Sequence, residues 1–280
     1  MTDWSTARWL ITGASSGFGR ALAVEVAGRG GQVIAASRSP ATPDDLARKH
    51  AGRLFPIAFD AGQGDAAEAM IADVEARHGP IDVLVNNAGY GLIGAVEEVS
   101  DAELRAIMEV NFFGSPALIR AALPSMRARG SGFIVNLSSI SGVTAPPGSA
   151  SYAASKFAIE GLSESLRRES RSLGIHVMIV EPGPFRTAFH HQPTRFARMR
   201  IGAYAAVEER RDTPPSDAGL TGDPERGARL IVDAMMADRP PERLVLGASA
   251  VDTIRKALQR RLEELESWAD ISASADFPDG

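Results

Sequence analysis

The chain has 280 residues, 44% of them hydrophobic and 23% charged, with a formal charge of −5 at pH 7. This balance belongs to a globular protein with ample material for a buried core and excludes a disordered or fibrous chain. The mild negative charge, without a long basic run, argues against nucleic acid as a partner, and the absence of cysteine excludes disulfides and thiolate metal sites.

Met1 to Arg8 carries no basic-then-apolar leader pattern, and no apolar run reaches the roughly 18 residues of a membrane span. A cytoplasmic protein without a membrane span is expected. Short apolar runs rich in β-branched residues alternate with longer amphipathic stretches, the pattern of βα units on a parallel sheet. The first strand is predicted at Arg8–Ile11 and the first helix at Phe18–Arg29, with Thr12-Gly13-Ala14-Ser15-Ser16-Gly17-Phe18-Gly19 between them. Glycines in that position let the backbone turn toward a pyrophosphate, whose charge the helix N-terminus stabilises. Gly13, Ser15, Ser16, Gly17, Phe18 and Gly19 are therefore candidate cofactor contacts, against the plainer reading of a strand-to-helix turn.

The second strand, Gln32–Ala36, leads into Ser37 and Arg38. An NAD site usually holds its ribose hydroxyls there with a carboxylate, whereas a 2′-phosphate needs positive charge and no acid. Ser37 and Arg38 thus favour NADP(H) over NAD(H). Asp60, after a third strand at Leu54–Phe59, is a candidate for the adenine edge or a cap of the following turn. A helix at Gly64–His78, a strand at Asp82–Asn86 and a long helical pattern at Asp101–Arg129, bent around Asn111–Pro116, come next.

The fifth strand, Phe133–Leu137, runs into Ser138 and Ser139, and the helical pattern Ser151–Leu173 opens with Tyr152-Ala-Ala-Ser-Lys156. Four-residue spacing puts phenol and ammonium on one helix face. Positive charge there lowers a phenol from its usual pKa of about 10 toward the range useful for acid–base work. After a strand at His176–Glu181 the alternation breaks, and Pro184–Thr221 is expected to form a mobile lid. His190-His191 within it reads as a surface pair and not a metal site. Arg186, Arg195, Arg198 and Arg200 read as its solvated face. Leu92, Ile93, Ile140, Val143, Phe185, Phe189 and Phe196 line either an apolar pocket or the core beneath the lid.

A helix at Pro224–Ala237 and a strand at Leu244–Gly247 complete seven strands. The terminal helix, Ala250–Ala269, places Ile254, Leu258, Leu262 and Leu265 at helical spacing and is expected to pack within the chain. Asp270–Gly280 reads as a disordered tail. The expected organisation is one dinucleotide-binding and catalytic domain over residues 1–248, followed by a terminal helix and tail over 249–280.

These elements resemble the short-chain dehydrogenase/reductase family in its single-domain form over residues 6–248. The resemblance rests on the turn at 12–19, Asn86-Asn87-Ala88-Gly89, Asn111, Ser138-Ser139, Tyr152-x-x-x-Lys156 and Pro182-Gly183 followed by Thr187. It implies a doubly wound, parallel seven-stranded sheet with helices on both faces. Tyr152 would be the acid or base on the substrate oxygen, Ser139 would hold that oxygen, Lys156 would bind the nicotinamide ribose and lower the tyrosine pKa, and Asn111 would anchor a relay water. Asn87, Ala88 and Gly89 would lie along the adenosine, with Pro182 and Gly183 at the nicotinamide and Thr187 able to hydrogen-bond the carboxamide or the phosphates. The helices at 101–129 and 151–173 would pair subunits into a homodimer or homotetramer. The expected activity is NADP(H)-dependent interconversion of a carbonyl and a secondary alcohol on a largely apolar small molecule. The alternative is a non-catalytic protein that senses NADPH with the same fold.

Overall fold

The structure is a computed structural model that describes residues 3–39, 44–187, 195–213 and 219–277. Seven parallel strands form the central sheet: β1 (Arg8–Thr12), β2 (Gln32–Ser37), β3 (Leu54–Ala58), β4 (Val83–Asn86), β6 (Gly132–Leu137), β7 (Ile175–Pro182) and β9 (Arg243–Leu246), in the order β3-β2-β1-β4-β6-β7-β9. A second, two-stranded parallel sheet pairs β5 (Leu92–Ile93) with β8 (Arg195–Phe196). The sequence gives no warning of it, because two residues carry no periodicity.

Side-chain alternation along the strands divides the core in two. Trp9, Ile11, Val33, Val85, Phe133 and Met178 face one side. There they meet Leu22 and Val26 of α1 (Gly17–Arg29) and Ile231, Val232 and Met235 of a later helix, Pro224–Met235. Leu10, Ile34, Leu84 and Ile134 face the other side, against Ile71 and Val74 of α3 (Ala67–His78), Leu118 and Met126 of α5 (Gly114–Arg129) and Leu166 of α6 (Ala150–Ser170). Covering both faces is what the nearly unbroken apolar strands require.

The chain leaves β1 in one direction and β4 in the other, so their C-terminal ends flank a crevice where a doubly wound sheet binds its ligand. Two further short helices, α2 (Asp44–Lys49) and α7 (Ala205–Asp212), were not foreseen from the sequence. The expected bend near Asn111 is a π-helical turn, Glu109–Phe113, between α4 (Asp101–Met108) and α5. The helix Pro224–Met235 is α8, and Ala248–Ala273 is α9.

The terminal helix departs from expectation twice. It continues to Ala273, into the stretch read as a disordered tail. Only Ala250 and Ile254 of its 26 residues are buried, so most of it does not pack within the chain. Leu258, Leu262 and Leu265 have the spacing of a core-facing stripe and lie exposed. No helix among the described residues is long and apolar enough to cross a membrane.

Candidate active site

The glycine-rich turn is held from beneath. Gly13 has φ +66°, a conformation that favours glycine, and a Cβ on Gly19 would lie 2.4 Å from the Gly13 carbonyl oxygen. The Asn87 amide donates to the Thr12 carbonyl at 2.8 Å and to the Gly13 carbonyl at 3.3 Å. Thr12 Oγ1 accepts from the backbone N–H of Asn87 and of Ala88. Asn87 and Ala88 therefore brace the turn. Ser16, at the N-cap of α1, makes no side-chain cap, leaving the first-turn N–H groups for another acceptor. Thr187 packs beside Gly17, 3.5 Å from where its Cβ would be, which brings the segment after β7 to the phosphate end of the cleft. The Phe18 ring packs on Phe185 at 4.7 Å between centroids, so only its backbone is directed to a ligand.

At the end of β2, Ser37 is buried and donates to the Ser39 carbonyl at 2.9 Å. Arg38 is exposed beside it. Asp60 accepts from the Gly62 N–H at 3.0 Å and so caps its own turn. Gly183 follows Pro182 at the end of β7, where a Cβ would lie 2.9 Å from that of Ala250, leaving room only for glycine beneath the first turn of α9.

Opposite the phosphate turn, α6 carries Tyr152, Ser155 and Lys156. Tyr152 and Ser139 are hydrogen-bonded, and Ser139 Oγ also accepts from the Ser141 N–H at 3.1 Å. Ser138 turns instead toward Glu160, which separates the two adjacent serines. Lys156 Nζ donates to the Leu137 carbonyl at 2.7 Å and lies 5.8 Å from the centroid of the Tyr152 ring. Asn111 is buried in the π-turn. Its amide accepts from the Tyr90 N–H at 3.0 Å and donates to the Tyr90 carbonyl at 2.9 Å and to Ser155 Oγ at 3.1 Å. Gly89 lies between Asn111 and Lys156. The structure thus brings Ser139, Tyr152, Lys156, Asn111 and Gly89 together.

One electrostatic expectation is corrected. Burial dominates at the phenol and pushes Tyr152 up to about 12, with the Ser139 hydrogen bond pulling the other way. Burial also pushes Lys156 down to about 8, against the nearby Glu160 carboxyl. The ammonium sits over the ring and is tied to Leu137, so in the chain alone it does not offset the phenol's loss of water.

Several participants were missed in the sequence. Asn86 donates to Asn136 and Asn136 to Ser163, each at 2.8 Å, a buried relay tying β4, β6 and α6 together. Glu160 and Glu181 face each other beneath Lys156, with Arg243 Nε 3.1 Å from one and 3.6 Å from the other. Burial is the largest cause raising both carboxyls, Glu181 to about 7. Each is an ordinary glutamate in sequence, and only the fold makes them neighbours.

The described part of the expected lid segment is tied to the body. Glu98, 1% exposed, accepts from the Ala95 and Ile201 N–H groups at 2.9 and 2.7 Å and pairs with Arg211 of α7 at 3.2 Å. Arg195 lies 4.2 Å over the Tyr90 ring. Arg200 pairs with Glu208 on the solvated face, and Arg186 donates to the Leu220 carbonyl. Of the candidate pocket residues, Phe185 belongs to the core; Leu92 and Val143 are buried and Ile93, Ile140 and Phe196 partly so. Phe189, His190 and His191 lie outside the described residues. Between Gly94–Val96, Pro146–Gly148 and Tyr204–Val207 opens a largely apolar cleft of about 510 Å³. Ala150, at the start of α6, lines it, whereas Tyr152 and Ser139 do not.

Residues 8–196 match the short chain dehydrogenase family. An uncharacterized oxidoreductase of Schizosaccharomyces pombe is 36% identical over 271 residues, covering 95% of this chain and 90% of that protein. The crystal structure of a short-chain dehydrogenase from Streptomyces avermitilis superposes with a TM-score of 0.89 at 41% identity, covering 96% of this chain and all of that one. A Burkholderia phymatum relative in complex with NAD (TM-score 0.82, 25% identity, 95% and 97% covered) and a Burkholderia cenocepacia one in complex with NADP (0.72, 25%, 93% and 96%) share the fold. A glycine-rich turn braced from beneath, a tyrosine–serine–lysine cluster on α6 and the loop after β6, and these likenesses converge: the chain belongs to the short chain dehydrogenase family and is an oxidoreductase acting on CH–OH or C=O groups.

Proposed function

We propose that this enzyme uses NADP(H) in preference to NAD(H) and interconverts a carbonyl and a secondary alcohol on a largely apolar small molecule, with Tyr152 as the acid or base. The observation that carries this reading is the Tyr152–Ser139 hydrogen bond, with the Lys156 ammonium 5.8 Å from the centre of the tyrosine ring. The residues fit a dinucleotide. The uncapped start of α1, the braced glycine turn and Thr187 beside Gly17 suit a pyrophosphate, Lys156 suits the nicotinamide half, and Arg38 beside Ser37, with no acid there, suits a 2′-phosphate.

When bound, the nicotinamide supplies or accepts a hydride at the substrate carbon. Reduction leaves an alkoxide, which needs a hydrogen-bond donor and a proton. Ser139 Oγ supplies the first. The Tyr152 phenol, protonated near neutrality as phenols are, supplies the second. Lys156, held beside the ring by the Leu137 carbonyl, is placed to bind the nicotinamide ribose. The side chain of Asn111 is committed at both ends, so its part in a water relay would run through its backbone. The apolar cleft supports an apolar substrate. The outer faces of α4–α5 and α6, which expose Leu104, Phe113 and Phe157, support a homodimer or homotetramer.

The test is a panel of ketones, aldehydes and alcohols followed by cofactor absorbance. Tyr152→Phe is expected to lower turnover by roughly 10²–10⁴-fold while NADPH binding persists; retained turnover rejects the assignment. Arg38→Ala is expected to lower the NADPH-to-NADH affinity ratio about tenfold, and an unchanged ratio overturns the cofactor preference.

A further inference from the structure

We propose that the outer part of α9 is an interface with a second copy of this chain, the two helices lying antiparallel. This surface is distinct from the outer faces of α4–α6.

A helix of 26 residues extends roughly 39 Å. Its first turns are seated on the body through Ala250 and Ile254. Its last tie among the described contacts with the body is Arg261, which donates to the Val143 carbonyl and lies 5.5 Å over the Phe157 ring. The helical repeat puts Leu258, Leu265 and Trp268 on the same stripe as Ile254, with Leu262 at its margin. The apolar face that begins against the body therefore continues past it. Leu262, Leu265 and Trp268 are 47%, 64% and 58% exposed.

Charge along the helix chooses the occupant. Before Leu262 stand Arg255, Lys256, Arg260 and Arg261, with a single carboxylate, Asp252, already paired to Lys256 at 2.7 Å. After it stand Glu263, Glu264, Glu266 and Asp270, with no cation up to the helix end. Two such helices side by side in parallel set like charges together; antiparallel, each basic half meets an acidic half. A two-fold axis near Leu262 would also set Leu258 of one copy against Leu265 of the other, as a closed, isologous pairing requires. An anionic lipid surface would be opposed by the acidic half, which carries most of the exposed apolar side chains. The helix pair alone is smaller than the roughly 1,200 Å² of a standard stable interface, so the pairing is concentration-dependent.

Full-length protein is examined by sedimentation velocity over a concentration series, with circular dichroism confirming the helix in every variant. Arg255→Glu with Arg260→Glu, and separately Glu264→Lys with Glu266→Lys, are each expected to weaken self-association at least about tenfold and reduce the assembly to half the parent's size. An equimolar mixture of the two is expected to restore it. Charge-reversed variants that assemble like the parent, or a mixture that fails to recover, overturn the proposal. Because the chain has no cysteine, single cysteines report the geometry directly. Under a mild copper–phenanthroline oxidant, Leu258→Cys mixed with Leu265→Cys is expected to give the mixed disulfide dimer, and each alone far less. Equal or stronger linkage within each single variant shows parallel pairing and overturns the antiparallel arrangement. A parent that stays unassociated through α9 and binds phosphatidylserine vesicles instead also overturns it.

Discussion

Helices α6 and α9 have similar sequence signals and opposite fates. Both are long and amphipathic by spacing. In α6, nine of 21 residues are buried, among them Ser155, Lys156, Glu160 and Ser163; in α9, two of 26 are, both apolar. The shorter helix takes polar and charged groups out of water and pairs Ser155 with Asn111, Lys156 with the Leu137 carbonyl, Ser163 with Asn136 and Glu160 with Arg243, whereas the longer one leaves apolar groups in water. Burying polar groups is costly unless each finds a partner, so α6 is where the fold holds groups in a fixed geometry. Exposing apolar groups is tolerated in a lone chain and best relieved by association.

Substitutions break this contrast from its strongest side to its weakest. Leu166→Ala empties a buried position against the sheet and is expected to lower unfolding stability by about 2–5 kcal/mol, measured by chemical denaturation. Asn111→Ala strands both the N–H and the carbonyl of Tyr90, and a loss of about 2 kcal/mol is expected, with turnover falling at the same time because Ser155 loses its donor. Glu181→Gln is a smaller, pH-dependent probe. Glu181 titrates near 7 in the fold against an ordinary 4.5, so the folded chain binds the extra proton between those values. Its contribution is complete below pH 4.5 and is lost as pH rises through 7. The variant is expected to flatten that decline in melting temperature, against the same Glu160, Arg243 and Ser138 surroundings. Leu265→Ala, at a concentration low enough to dissociate any assembly, is expected to change stability by less than about 0.5 kcal/mol.

The same pair of helices shows what could be read from sequence. All seven sheet strands, the glycine-rich turn between β1 and α1 and the Tyr152–Lys156 spacing were legible because each follows from local periodicity or a short motif. That Leu258, Leu262 and Leu265, in line with the buried Ile254, run off the body was not, since an apolar stripe has the same spacing whether its cover is the same chain or another. The Glu160–Glu181 pair was illegible for a related reason: 21 positions of chain separate residues that only β7 and α6 bring side by side. Burial also governs the Tyr152 phenol more strongly than the neighbouring ammonium does, and desolvation is set by the whole surrounding fold, whereas the ammonium's nearness follows from a four-residue interval. Glu98 and Arg211 were unremarked surface types in sequence, yet their contact ties α7 to the segment after β5.

The π-turn at Glu109–Phe113 acts as a phase shifter. One residue beyond the α-helical count rotates everything downstream by roughly 100° relative to an unbroken helix. Asn111 can thus look inward at Tyr90 while α5 still presents Leu118 and Met126 to the sheet. A one-residue deletion that regularised the helix would put those two demands out of step, so a change that tidied the backbone would leave either the amide or the apolar face pointing the wrong way.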